Sequence, residues 1–203
     1  MKRNKTVKRK SQKQRIKLFK LTVLGLVLIN LFLSILSLNY DKDSLKELAA
    51  SETTHFIAKV AKSAHVIARE KDLYPSVMLA QAILESNNGK STLSQEPYYN
   101  FFGIKGDYQG KSVIFPTLED DGQGNLHKID AKFRSYGKAE ASFRDYARVL
   151  EDPLYIKTHV SKSKSYQEST ETLRGTYATD SSYNQKLNEL IESFKLYNFD
   201  YRV

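Results

Sequence analysis

The chain has 203 residues and a formal net charge of +9, but ten of its Lys and Arg fall in residues 1–20, which hold no Asp or Glu. The remainder carries 22 basic against 23 acidic side chains, so it lacks the basic excess expected of a folded nucleic-acid-binding face. Cysteine is absent, which excludes disulfides, a thiol nucleophile and thiolate-held zinc.

Leu21 to Tyr40 follows the basic run without a charge and is mostly apolar. About 20 such residues span a bilayer core. With basic residues before the span and Asp41 after it, the positive-inside rule puts the N-terminus in the cytoplasm and the rest outside. A cleaved signal peptide is the competing reading. Its apolar run is usually about 7–15 residues and ends in a small-x-small site, for which Ser34-Ile35-Leu36 and Ser37-Leu38-Asn39 are poor matches. The expectation is a basic cytoplasmic tail over 1–20, a single transmembrane helix over 21–40, a stalk or first surface helix over 41–52, and one soluble domain over 53–203.

Thr53 or Thr54 is suited to cap a helix from Phe56 to Lys71, whose Ile57, Val60, Ala61, Ala64, Ile67 and Ala68 recur at helical spacing. Asp72-Leu73-Tyr74-Pro75 breaks it, because the residue before a proline leaves the α region. Pro75 then opens a second helix, in which only Gln81 is polar between Val77 and Leu84. A helix apolar nearly all round is buried. Asn87-Asn88-Gly89 supplies residues that accept left-handed backbone angles and end it. Lys90 to Glu96 has room for a short helix.

Tyr98 to Gly106 reads as an aromatic, glycine-punctuated loop. The period then changes to two: a strand over Lys111 to Leu118, a polar turn over Glu119 to Asn125, and a return strand over Leu126 to Tyr136. Asp120 to Asn125 lacks the alternating ligands and closing glutamate of a calcium loop. Helices are expected again over Lys138 to Leu150, over Ser165 to Arg174, and from a Ser181 or Ser182 cap to about Tyr197. The fold class is α+β, mostly α, with one β-hairpin.

No phosphate loop, G-x-S-x-G or H-E-x-x-H occurs. His55, His65, His127 and His159 have no metal-ligand spacing, so no metal or cofactor is expected. Carboxylates and 13 tyrosines remain, and that is the inventory of glycoside hydrolysis. Glu85 stands out among the carboxylates. It lies in the last turn of the buried helix, where the dipole disfavours a negative charge. The positions i±3 and i±4 from it are Gln81, Ala82, Asn88 and Gly89, so no helical ion pair accounts for it. These conditions raise a carboxyl pKa, as a general acid requires.

Leu79-Ala80-Gln81-Ala82-Ile83-Leu84-Glu85-Ser86 resembles the helix end that carries the catalytic glutamate in lysozyme-superfamily enzymes, and specifically in glycoside hydrolase family 73, the peptidoglycan-cleaving glucosaminidases. Three further segments resemble that family in the same order. They are Asn100-Phe101-Phe102-Gly103-Ile104-Lys105, Ala131-Lys132-Phe133-Arg134-Ser135-Tyr136, and Gly175 through Tyr183, where Thr176 interrupts the family's Gly-Tyr-Ala-Thr-Asp-x-x-Tyr pattern.

The resemblance covers roughly residues 53–200 and implies a lysozyme-like helical body with one hairpin lobe. It implies an endo-β-N-acetylglucosaminidase acting on peptidoglycan strands, with Glu85 as general acid, and the expected span adds that the enzyme is membrane-anchored with its site outside the cell. Glu119 at the hairpin tip is the candidate second carboxylate, with a solvated acidic turn as the alternative. Tyr177 matches the family's active-site tyrosine. Tyr183, Asn100 and Phe102 are further expected substrate contacts, with Phe101 or Phe102 as a groove wall and the other in the core. Gln81, one turn before Glu85, is placed to orient it or to satisfy nearby backbone. Alternatives are an N-acetylmuramidase or lytic transglycosylase on the same polymer, or a catalytically silent glycan-binding module.

Overall fold

The computed structural model of the chain describes residues 42–43, 46–120 and 126–201. The expected tail over 1–20, the expected span over 21–40 and the hairpin turn over 121–125 lie outside the described residues. Among the described residues no helix is long and apolar enough to cross a membrane. The chain divides into two units, Met1–Ser51 and Glu52–Val203, and the second holds the hairpin and most of the helices.

Helix α1 occupies residues 46–70, so it starts well before the cap expected at Thr53 or Thr54. Thr53 is instead a buried position on its packed face, one turn before Phe56 and two before Val60. Helix α2 is Pro75–Ser86, with proline in its first turn and Asn87 as a left-handed C-cap at φ 50°. The Asn87 N–H bonds to the carbonyls of Ile83 and Leu84, which closes the last turn. Gly89 follows at φ +73°, and a Cβ there would stand 2.7 Å from the Phe56 ring. Glycine is therefore required on both counts, by backbone angle and by the approach of α1. Asp200 caps the other end of α2, accepting from the Ser76 N–H at 2.9 Å and from its hydroxyl at 2.7 Å.

Strands β1 (Ser112–Asp120) and β2 (Leu126–Arg134) form an antiparallel hairpin in which Ser112 pairs with Arg134 and Asp120 with Leu126. Glu119 thus lies in the strand opposite His127, not in the turn where the sequence suggested it. The 98–106 loop runs along β2: the Gly106 N–H donates to Lys132 O at 2.8 Å and the Arg134 N–H to Ile104 O at 3.0 Å. Helices α3 (Ala139–Val149), α4 (Tyr166–Leu173) and α5 (Tyr183–Ser193) complete the body, with short 3-10 segments at Thr92–Ser94, Pro153–Thr158 and Leu196–Phe199. The last helix, expected to continue to Tyr197, breaks at Lys195, which is left-handed at φ 50°. The fold is mostly helical with a small two-stranded sheet. Its core gathers Leu79 and Ile83 of α2, Phe101 and Phe102 of the loop, Phe143 and Tyr146 of α3, Leu173 of α4 and Leu187 and Ile191 of α5.

Candidate active site

Glu85 is half-buried at the C-terminal end of α2. Its Oε1 accepts a hydrogen bond of 2.6 Å from the Tyr183 hydroxyl. Burial raises the carboxyl pKa, and the Tyr183 bond, which favours the charged form, opposes that rise. Among the described residues no lysine or arginine contributes to the shift. Its Oε2 lies beside Gly103, where an added Cβ would come within 3.9 Å.

The start of α5 brings Tyr183 to this carboxyl. Asp180 organises that start, accepting from the Ser182 N–H at 2.8 Å and from the Ser182 hydroxyl at 2.7 Å, and pairing with Lys186 at 2.6 Å. The bonds from Lys186 and Ser182 lower its pKa to about 2. Ser182 occupies the N-cap position expected of Ser181 or Ser182, but its side chain makes no cap bond and donates to Asp180 instead. Below Tyr183 the Gln81 amide donates to the Tyr183 oxygen at 3.0 Å, and the Tyr146 hydroxyl donates to Gln81 Oε1. Burial and the nearby Glu85 carboxylate push the tyrosine pKa values of Tyr146, Tyr177 and Tyr183 well above 10, so all three stay protonated donors.

Tyr177 is partly exposed, and its hydroxyl donates to Phe102 O at 2.7 Å. Its ring lies 6.3 Å from that of Tyr183, nearly parallel, and 6.3 Å from that of Tyr155. Motif and spacing do not single out Tyr155 in the sequence. It comes from the Pro153–Thr158 segment and donates to Thr176 O at 3.3 Å. Only its tyrosine type is a signal, since the contact joins residues 21 apart in an irregular stretch.

Four of the five residues expected to line the substrate face the interior, Tyr183 at 3 % exposed among them. Gln81 is 0 % exposed, and Asn100 and Phe102 are 1 % exposed. Asn100 clamps the loop, donating to Ile104 O at 2.9 Å and Arg134 O at 3.0 Å while accepting from the Ile104 N–H at 3.1 Å. Phe102 stacks on Tyr146 at 4.0 Å, and Phe101 is buried too, so neither phenylalanine forms a groove wall. The apolar content of the loop is spent on the core, and its glycine, Gly103, is what borders Glu85. The Glu119 side chain lies outside what the structure describes.

Residues 61–196 match the family model described as Glucosaminidase, mannosyl-glycoprotein endo-beta-N-acetylglucosaminidase. The chain belongs to the glucosaminidase family. A probable N-acetylmuramidase of Lactococcus lactis is 46 % identical over 160 residues, covering 76 % of this chain and 36 % of that protein. The exo-glucosaminidase LytG of Bacillus subtilis is 32 % identical over 203 residues, covering 95 % of this chain and 70 % of that protein. A crystal structure titled N-acetylmuramoyl-L-alanine amidase, from Staphylococcus aureus, superposes with a TM-score of 0.71 at 42 % identity, covering 75 % of this chain and 44 % of that one. The chain spans only about a third of the length of the first curated relatives it matches, 28 % and 36 %. All four motif segments, including Glu85, Tyr177 and Tyr183, fall inside the matched glucosaminidase region.

Proposed function

We propose that this chain is a peptidoglycan hydrolase that cleaves the β-1,4 bond after N-acetylglucosamine, with Glu85 as its general acid. The observation that carries this reading is the state of Glu85. It is a half-buried carboxyl without a cation partner, raised by burial and held by one tyrosine, in a glucosaminidase-family chain. Burial favours the protonated carboxyl, which is the form that delivers a proton to a leaving glycosidic oxygen. A glycan strand passes along the Gly103 side of Glu85, with the Tyr177 and Tyr155 rings against the sugar. As the bond breaks, positive charge develops on that sugar. Water then attacks with help from Glu119, or the substrate's own N-acetyl group attacks first. Glu119 is placed by the backbone alone, in β1 opposite His127. A separation of about 5 Å between the carboxyls suits a direct nucleophile, and about 6.5–9.5 Å leaves room for water.

Residues 21–40 anchor the chain in the cell membrane in a single pass. Its N-terminus is cytoplasmic and its catalytic domain extracellular, near the inner edge of the wall. A second reading, cleavage as an N-acetylmuramidase, is favoured by the name of the Lactococcus lactis relative. One experiment separates the two. Purified peptidoglycan is digested with the full chain, and the products are reduced and identified by mass spectrometry. The expected products end in reducing N-acetylglucosamine, and none appear with Glu85→Gln of unchanged fold. Products ending in reducing N-acetylmuramic acid would transfer the reading to a muramidase. Activity retained in Glu85→Gln would remove Glu85 from the mechanism.

A further inference from the structure

Four side chains from three helices form a hydrogen-bonded chain with a single direction. The Tyr146 hydroxyl of α3 donates to Gln81 Oε1 on α2. Gln81 Nε2 donates to the Tyr183 oxygen on α5 at 3.0 Å, and the Tyr183 hydroxyl donates to Glu85 Oε1 at 2.6 Å. We propose that Gln81 and Tyr146 are positioning residues which, through Tyr183, keep the acid proton of Glu85 on Oε2. This rests on the reading of Glu85 as general acid.

Donor counts set the direction of the chain. A tyrosine hydroxyl has one proton to give. Tyr183 gives it to Glu85 because its own oxygen already accepts from the Gln81 amide nitrogen. The amide faces that way because its oxygen is taken by Tyr146. With the amide turned round, Tyr183 would meet an acceptor at Gln81 and its proton would leave Glu85. Tyr146 therefore selects the oxygen of Glu85 that receives the bond. An acid whose Oε1 accepts a hydrogen bond carries its own proton on the other oxygen. Oε2 is the oxygen beside Gly103, where no side chain intervenes.

Both proposed residues are closed to substrate, since Gln81 and Tyr146 belong to the fully buried core. Among the described residues the titratable groups that act on Glu85 are tyrosines: Tyr183 from α5, Tyr146 from α3 and Tyr177 from the turn before α5. Among the described residues no lysine, arginine or second carboxylate acts on its titration, and the bond from Tyr183 is what opposes burial. Hydrogen bonds in such a chain polarise one another, so a change at Tyr146 is felt at Glu85.

The test is kcat and KM against pH for the full chain on soluble glycan fragments released from peptidoglycan, with Glu85→Gln, Tyr183→Phe, Gln81→Leu and Tyr146→Phe. Losing donation to the carboxylate raises the Glu85 pKa, so the alkaline limb of kcat/KM moves to higher pH. A shift of about one pH unit is expected for Tyr183→Phe and about half a unit for Gln81→Leu and Tyr146→Phe. KM stays unchanged for the two buried positions while kcat falls, because neither meets substrate. Tyr146→Phe keeps the ring that stacks on Phe102 and removes only the hydroxyl, so it carries the test if Gln81→Leu does not fold. Limbs that superimpose on the wild type, in a chain where Glu85→Gln is dead, overturn the relay and leave the general acid standing. An active Glu85→Gln overturns both.

Discussion

Glu85 sits where a negative charge is least welcome: in the last turn of a helix, half-buried, and without a cation. Those conditions favour its protonated form and make the ionised form a cost to the fold. The sign follows from linkage. The folded pKa is raised above 4.5, so between 4.5 and the folded value the native state holds more protons than the unfolded one. Stability contributed by this group therefore falls as pH rises through that window. Glu85→Gln is expected to melt above wild type at pH 7, and the difference is expected to vanish below about pH 4.5. Thermal unfolding of both chains across pH 4–8 measures it. A variant that is less stable than wild type at pH 7 contradicts the burial account. These features are legible in the sequence because all are local: an apolar run, Asn87-Asn88-Gly89 after it, and no lysine or arginine within one turn. Tyr183 is legible as a motif position and Gln81 as the one polar residue between Val77 and Leu84 of a buried helix. That they meet at a single hydroxyl is a fact of packing between residues 102 apart, which no periodicity encodes.

Among the elements, the hairpin and helix α3 are joined by one buried carboxylate. Asp145 is 2 % exposed, accepts from Arg134 at 2.5 Å and from the Tyr136 hydroxyl at 2.8 Å, and lies 3.7 Å from Arg148. Arg134 and Tyr136 are the conspicuous residues of the Phe133-Arg134-Ser135-Tyr136 segment, so this pairing gives that motif a structural purpose. The segment fixes the end of β2 against the body, and with it the loop that carries Gly103 past Glu85. Helical spacing predicts for α3 a packed face of Ala141, Tyr146, Ala147, Val149 and Leu150, which leaves out Asp145. An acidic residue next to Tyr146 is the available signal, and its partners Arg134 and Tyr136 are not. Asp145→Asn removes the buried charge and leaves Arg134 to solvent. A loss of about 3 kcal/mol is expected in urea unfolding. Arg144→Ala removes an exposed pair with Glu70 and Glu140 and is expected to change little. Equal effects from the two would deny Asp145 its structural role. The helix boundaries that differ from the sequence expectation have similar causes. α1 extends upstream because residues 46–52 continue its helix without a breaker, and α5 stops early because Lys195 takes a left-handed angle that lysine does not advertise.

At the scale of the whole molecule, charge and hydropathy separate two parts of the sequence. The basic excess and the uncharged stretch both lie within residues 1–40. The region matched by the glucosaminidase family begins at residue 61, inside the compact unit that starts at Glu52. A wall hydrolase released from the cell attacks strands anywhere, whereas one held by a single span reaches only the glycan nearest the membrane. The proposed anchor would therefore decide where the chain acts without touching its chemistry. Two outcomes distinguish an anchor from a cleaved signal. If residues 21–40 stay in the bilayer, the chain sediments with membranes at its full 23.3 kDa, resists high salt and is released by detergent. If the segment is removed, a product shorter by about 20 to 40 residues appears in the medium or wall fraction. The full-length, detergent-released species is expected. Replacing Leu26 and Leu31 together by Lys then tests the cause, because a lysine at the centre of a span costs about 2.5–3.5 kcal/mol on insertion scales. The substituted chain is expected to leave the membrane fraction while keeping its glycan-cleaving activity on soluble fragments, since the catalytic unit builds its core from residues 56–196. Retention of the substituted chain on membranes would mean that a surface of the folded unit, and not the apolar span, holds it there.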